Sequence, residues 1–223
     1  MFLKDNIVQR QVDAAQTSAG VGRARGYVET LPASTTTLDG AEALKRGDYQ
    51  AALGLFKRSL AQTDGRTMKN YAGLYEAYYR SNQRNDAIQA FADLFSLGVE
   101  NDNITIKFLF NVNTTSFFNN PDITAQYDIW LHQISRYLAD HQECMTVVGH
   151  SSHTGSAQYN LDLSLRRAQR IRDTLASYSR GGGLRLDALG RGFEENIIGT
   201  GTDDDQDAID RRVEFRKRAC RVG

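Results

Sequence analysis

The sequence lacks net charge, long apolar runs and a set of cysteines, and each absence excludes a class of protein. Its 27 basic residues balance 27 acidic ones, so no overall field attracts nucleic acid or an anionic membrane. No segment approaches the roughly 18 consecutive apolar residues of a membrane-spanning helix, and Met1–Val12 lacks the apolar centre of a signal peptide. Two cysteines, Cys144 and Cys220, are too few for a disulfide scaffold and lack metal-ligand spacing. The composition predicts a globular chain with no nucleic-acid partner and no transmembrane segment.

The pattern of residues changes along the chain and predicts two domains. Residues 1–37 carry no sustained period and end in Pro32 and a polar run to Thr37, which predicts an N-terminal segment and linker. Gln9–Gln16 is compatible with a short helix. Residues 38–98 are helical in pattern and nearly free of helix breakers, and residues 104–219 alternate between strand and helix patterns.

The helical region contains an internal repeat. The segment from Gly47 to Phe56 recurs 35 residues later, from Asn82 to Phe91. Each copy holds a small residue and, four positions later, an aromatic one: Ala52 with Phe56, and Ala87 with Phe91. The offset and the pair resemble tetratricopeptide repeats, in which such residues let two helices pack closely. A plain helical hairpin is the alternative, and both predict that this region binds a protein partner.

The second half alternates strands with two helices. Strands are predicted at Ile104–Val112, Met145–Gly149, Leu184–Leu189 and Val213–Lys217, and helices at Asp122–Asp140 and Ala157–Tyr178. Ser156 is expected to cap the second helix and the glycines at 181–183 to stop it. This order, with helices on one face of the sheet, predicts a two-layer α+β domain that follows the N-terminal helical hairpins.

Five ordered segments of this half resemble the OmpA-like family. They are Phe110–Asn113, Val147–His150, Gly155–Ala168, Gly190–Asn196 and Asp210–Phe215. The third is close to the most specific family signature, Gly-x-x-x-Tyr-Asn-x-x-Leu-Ser-x-Arg-Arg-Ala. The resemblance implies a β-α-β-α-β-β domain with a mixed four-stranded sheet, without catalytic activity or cofactor.

The resemblance also implies a ligand, the diaminopimelate of the peptidoglycan peptide stem. Such a zwitterion requires an acceptor anion and a planar donor fork a few ångström apart. Arg167 keeps the family's fork, Asn113 keeps a polar residue that lines the pocket, and Arg211 and Arg212 keep the closing arginine pair. The resemblance implies a location in the periplasm. Anchoring to the outer membrane is expected only if a longer N-terminus carries a lipid.

One family residue is replaced. The acceptor aspartate stands fifteen residues before the fork, and that position holds Ser152. A serine accepts a hydrogen bond without supplying charge, which removes an interaction worth about 1.5 to 3 kcal/mol. Two hypotheses follow: an envelope protein that docks on peptidoglycan, or a domain that has lost this ligand and serves as an assembly module of an envelope or secretion complex.

The sequence gives little support for a metal site or an enzyme active site. His150 and His153 lack a third ligand with suitable spacing, and the acidic run at 203–207 lacks the pattern of a calcium loop, so no metal site is predicted. No nucleophile-elbow motif is present, so no enzyme is predicted.

The strand arrangement implied by the OmpA-like resemblance also predicts where the two cysteines lie. If the last strand runs antiparallel to the others, Cys220 ends near Cys144 at one edge of the sheet, and a disulfide becomes possible in an oxidising compartment. Two unpaired thiols remain the alternative.

Overall fold

The structure, a computed structural model, describes residues 35–104, 106–179, 183–201 and 206–220. The chain divides into two compact units, whose described parts are residues 35–103 and the residues from Ile104 onward. The short helix predicted at Gln9–Gln16 and most of the predicted linker lie outside the described residues. Within the described ranges, no helix combines the length and apolar character needed to cross a bilayer.

The described part of the first unit, residues 35–103, contains four helices. They are α1 (Thr35–Arg46), α2 (Tyr49–Leu60), α3 (Met68–Arg80) and α4 (Arg84–Glu100). α1 begins within the predicted linker, two residues before its expected end at Thr37. The second and third helices start at side-chain caps: Asp48 accepts a hydrogen bond from the amide of Ala51, and Thr67 from that of Asn70.

The core of the first unit uses the repeated small and aromatic residues. Ala52, Phe56, Ala87 and Phe91 are all buried. The Phe56 ring packs directly on the backbone of α3 at Gly73, where an added Cβ would overlap the ring. A glycine at this position lets the helix approach the ring more closely than any side chain would permit.

We expect Gly73→Ala to destabilise the first unit by about 1 to 3 kcal/mol, because the new methyl group overpacks the buried Phe56 ring. The matched control is Gly54→Ala in α2, where an added Cβ has only the far end of Arg58 within reach. The control should be neutral or stabilise by up to about 1 kcal/mol through helix propensity. Thermal unfolding of the full chain measures both. Equal stabilities for the two variants would contradict the packing described.

The second unit contains a four-stranded sheet and two long helices. Its elements are β1 (Phe108–Leu109), α5 (Pro121–His141), β2 (Cys144–Gly149), α6 (Ala157–Tyr178), β3 (Arg185–Gly190), a short 3₁₀ helix (Gln206–Ile209) and β4 (Arg212–Lys217). The strand order is β1-β4-β2-β3, with β4 antiparallel to both neighbours and β2 parallel to β3. The predicted α+β class, with helices before a domain of mixed sheet, is confirmed.

Both long helices pack on one face of the sheet. Phe108 of β1 contacts Tyr127 and Trp130 of α5 on the same face as Phe215 of β4. At Gly149, the last residue of β2, an added Cβ would overlap the main chain of α6 at Ser164. This close approach places the end of β2 directly under α6.

Strand β1 is shorter than the predicted strand Ile104–Val112. After Leu109 the chain folds back, so that the amide of Phe118 donates to the Leu109 carbonyl and the amide of Asn111 donates to that of Ser116. Residues 111–116 form a tight loop, called here the β1 loop. It replaces the C-terminal end of the predicted strand.

Candidate functional site

The end of β1, the end of β2 and helix α6 meet at the Arg167 guanidinium. Its Nε donates to the Thr114 carbonyl at 2.9 Å, Nη2 to that of Asn111 at 2.8 Å and Nη1 to that of His150 at 3.0 Å. Two of these carbonyls belong to the β1 loop, and the third follows β2. One charged side chain therefore fixes the positions of both strand ends.

The helix brings Arg167 to this place because of its spacing. Arg167 stands four residues after Leu163 and four before Ile171, and both are buried on the sheet-facing side of α6. The side chain is 0% exposed, and its guanidinium lies 5.4 Å from the centre of the Phe110 ring. In this conformation a carboxylate in solvent cannot reach the guanidinium.

A second arginine holds the same loop from outside. Arg170, one turn further along α6, donates to the Thr115 carbonyl at 2.7 Å and lies 4.7 Å from the centre of the Phe117 ring. Its side chain is exposed, unlike that of Arg167. The β1 loop is thus bound to α6 on two sides through its main-chain oxygens.

Asn113 and Ser152 occupy the two strand ends that Arg167 joins. Asn113 is exposed at the tip of the β1 loop and has a left-handed backbone, with φ of 55°. Ser152 lies two residues after His150 and is 4% exposed. Both residues lie in segments whose main-chain carbonyls Arg167 binds or that directly follow such a carbonyl. That they form one ligand site with Arg167 stays a prediction.

The loop after β2 has no acidic group of its own, and the nearest acidic residue in α6 turns away. Asp162 is exposed and accepts a hydrogen bond from Gln158 on the surface of α6, at 3.1 Å. The loop itself is fixed by Asn160, whose amide nitrogen donates to the Thr154 carbonyl at 2.6 Å. No carboxylate of the segment 149–155 substitutes for the replaced aspartate.

The closing arginine pair is buried and bound within the fold. Arg211 donates from Nε to the Phe110 carbonyl at 3.3 Å, and the Phe110 ring is the one that lies beneath Arg167. Arg212 binds Glu214 Oε2 at 2.9 Å and the carbonyl of Glu195 at 3.2 Å. Because residues alternate along β4, Arg212 lies on the sheet face away from the helices. Arg211 therefore belongs with the site near Arg167, and Arg212 does not.

Cys144 and Cys220 form a disulfide at the end of the sheet where β2 begins and β4 ends. Their Cα atoms lie 5.3 Å apart, although the residues are separated by 76 positions in the chain. Next to the bridge, the Arg218 amide donates to the Cys144 carbonyl at 3.0 Å. The chain after β4 is thereby tied to the start of β2.

The second unit is similar to known proteins. Residues 117–210 match the model of the OmpA family. No curated protein matches the chain. Several solved structures resemble about half of the chain. One is the peptidoglycan-associated lipoprotein of Burkholderia pseudomallei, with 26% identity over 50% of this chain and 89% of that one and a TM-score of 0.43. Another is the cell wall anchor of the type VI secretion system of Pseudomonas aeruginosa, with 28% identity over 50% of this chain and 75% of that one and a TM-score of 0.38. The C-terminal domain of Helicobacter pylori MotB has 20% identity over 52% of this chain and 87% of that one and a TM-score of 0.39.

Proposed function

We propose that the chain is a non-catalytic cell-envelope protein whose second unit associates with peptidoglycan. The match of residues 117–210 to the OmpA family model supports this proposal. The proposed ligand is the diaminopimelate of the peptide stem. The proposed location is the periplasm, with anchoring at the outer membrane as a further part of the proposal. The observation that carries it is the meeting of the family's signature helix, at Arg167, with both strand ends.

The proposed contact surface is the rim around Arg167. Asn113 offers an exposed amide at the tip of the β1 loop, and Ser152, which is 4% exposed, lies in the segment that follows β2. Arg167 supports this rim from below by holding the carbonyls of Asn111, Thr114 and His150. Direct binding of a ligand carboxylate by Arg167 requires that the β1 loop open and release one of these carbonyls.

A second candidate is an assembly module that has lost the cell-wall ligand. Two observations favour it: Ser152 supplies no charge, and the Arg167 guanidinium has no exposed surface. Under this alternative, the same rim contacts a protein of an envelope or secretion complex.

Co-sedimentation with purified sacculi separates the two candidates. The full chain is incubated with intact sacculi and with sacculi whose peptide stems have been removed by an amidase. Peptidoglycan association predicts retention by the intact sacculi and loss of retention with the stripped ones. Absence of retention by either, at low and at high salt, would favour the assembly module.

Ser152→Asp is expected to raise the affinity for a soluble diaminopimelate-containing peptide by about 10- to 100-fold, because it restores a charge-assisted bond to the ammonium. The control is Ser156→Asp, which adds the same charge at an exposed position where aspartate still caps α6. Calorimetric titration of the peptide measures both. Equal affinities of the two variants would show that the pocket differs from the family's by more than one residue.

We further propose that the helical unit, residues 35–103, binds a protein partner. Its exposed Leu38 on α1, with 49% of its surface accessible, is a suitable position for a photo-activated crosslinking residue. The proposal predicts a discrete crosslinked partner in envelope fractions. A position on the exposed turn after α2, such as Thr63, serves as the control, and identical products from both positions would count against a specific surface on α1.

A further inference from the structure

The sheet face away from the helices carries a compact polar cluster. His150 follows β2, Glu195 lies after β3, and Glu214 is in the middle of β4. One ring nitrogen of the histidine and one carboxylate oxygen from each glutamate all lie within 4.8 Å of one another. The three residues come from different parts of the chain and share no sequence motif.

His150 is the unusual member of this cluster. Its side chain is 0% exposed. Among the described residues, Nδ1 has no hydrogen-bond partner, and Nε2 has an ion-pair contact with the Glu214 carboxylate. Nε2 faces the Glu214 carboxylate, with Oε1 at 3.4 Å. A buried polar group without a partner is costly in a folded protein and calls for an explanation.

The separation of His150 and Glu214 suits a metal ion. Zinc binds histidine nitrogen and carboxylate oxygen at about 2.0 to 2.2 Å in tetrahedral geometry, so two of its ligands lie roughly 3.3 to 3.5 Å apart. The observed 3.4 Å between Nε2 and Oε1 falls in this range. The other oxygen of Glu214 is held by Arg212 at 2.9 Å, as an outer-shell partner holds a ligating carboxylate.

Arg216 bridges the two carboxylates on the solvent side. Its Nη2 binds Glu214 Oε1 at 2.8 Å and also binds Glu195 Oε2. Burial raises the pKa of Glu214, but the neighbouring His150 ring and the charges of Arg212 and Lys107 outweigh it, so the pKa lies well below its ordinary value. The Arg216 side chain is 41% exposed, so it can withdraw into solvent without burying its charge elsewhere.

We propose that His150, Glu195 and Glu214 form a binding site for a divalent transition-metal ion, zinc by ligand type, and that Arg216 closes this site in the metal-free chain. The metal takes the oxygen of each glutamate that now faces Arg216, together with Nε2 of His150. Histidine nitrogen with two carboxylates is a set that zinc accepts, with a fourth position left for water. The site uses none of the side chains assigned to the proposed peptidoglycan contact.

The test is zinc binding by the full chain after treatment with a chelator, measured by equilibrium dialysis and elemental analysis. The wild type should bind zinc saturably. Glu195→Gln should weaken binding by roughly 10-fold or more, since it removes one ligand while keeping the shape of the side chain. Arg216→Gln should strengthen binding by about 10-fold, since it removes the competing cation.

His132→Gln is the matched control. His132 lies 3.6 Å from Asp128 on the surface of α5 and is the other described His–carboxylate pair that the structure places close together. This variant should bind zinc as the wild type does. Failure of the wild type to bind zinc, or binding that Glu195→Gln leaves unchanged, overturns the proposal. Unchanged affinity in Arg216→Gln overturns the part assigned to Arg216. X-ray absorption of the zinc-loaded chain should show nitrogen and oxygen ligands without sulfur.

Discussion

Replacing Arg167 with alanine is expected to lower the free energy of unfolding of the second unit by about 3 kcal/mol. One buried and two part-buried carbonyls lose their donor, at roughly 1 to 3 kcal/mol for a buried one and less for the others. The guanidinium donates to the carbonyls of Asn111, Thr114 and His150, and the side chain is completely buried. Because domains are stable by only about 5 to 15 kcal/mol, a loss of this size removes a large part of the total. Urea unfolding of the full chain, followed by tryptophan fluorescence of Trp130, measures it.

The neighbouring Arg166 provides the control for this prediction. It is exposed on the same helix, so Arg166→Ala should change the stability by no more than about 0.5 kcal/mol. If both variants unfold at the same urea concentration, the three carbonyl bonds do not stabilise the domain as described. The expected loss of stability also means that failure of Arg167→Ala to bind sacculi would not identify Arg167 as a ligand residue. Ser152→Asp is the more informative change, because it adds an interaction.

Reduction of the Cys144–Cys220 disulfide is expected to lower the free energy of unfolding of the second unit by about 4 kcal/mol, the loss of loop-closure entropy for a bridge of this span. The bridge links residues separated by 76 positions, so it restricts most of the unfolded chain of this unit. Urea unfolding with and without a reductant that does not denature the chain measures the difference.

A variant with both cysteines replaced by alanine controls for effects of the reductant itself. Its stability should match that of the reduced wild type and should not change when reductant is added. Identical unfolding of the oxidised and reduced wild type would contradict the stabilising role of the bridge.

The sequence alone predicted the bounds of those elements whose local residue pattern agrees with their surroundings in the fold. Helix α6 begins and ends where the periodic pattern predicts, at Ala157 and Tyr178, and Ser156 caps it as expected. Its apolar residues recur at helical spacing, and its first residue follows a strong capping residue. The mixed sheet followed from the resemblance to the OmpA-like family rather than from periodicity, because strand order is not encoded locally.

The burial of Arg167 was not predicted, although the sequence held a signal for it. The family motif suggested a fork that faces a ligand. Helical spacing, however, aligns Arg167 with Leu163, Ile171 and Leu175, which are buried against the sheet. What the sequence does not show is that the β1 loop supplies carbonyls at this point. A buried arginine is stable only where such acceptors are present.

The length of β1 and the polar cluster on the open sheet face depend on distant parts of the chain. The apolar run at Ile104–Val112 predicted a longer strand, but the chain folds back after Leu109, and Phe110 pairs with Phe117 instead. His150 and Glu214 are brought together by the pairing of β2 with β4. His150 and His153 are close in the sequence, but no third metal ligand with suitable spacing accompanies them, so the sequence predicted no metal site. In the structure, Glu195 and Glu214 lie near His150 although they are distant from it in the sequence.

The most direct test of the proposed ligand site is a titration of the isotope-labelled chain with a soluble diaminopimelate-containing muropeptide, followed by amide chemical shifts. Saturable shifts are expected in the β1 loop around Asn113 and in the segment around Ser152, which follow β1 and β2 next to Arg167. Shifts confined to other surfaces, or no shifts at saturating muropeptide, would contradict the assignment of the peptidoglycan contact to this rim.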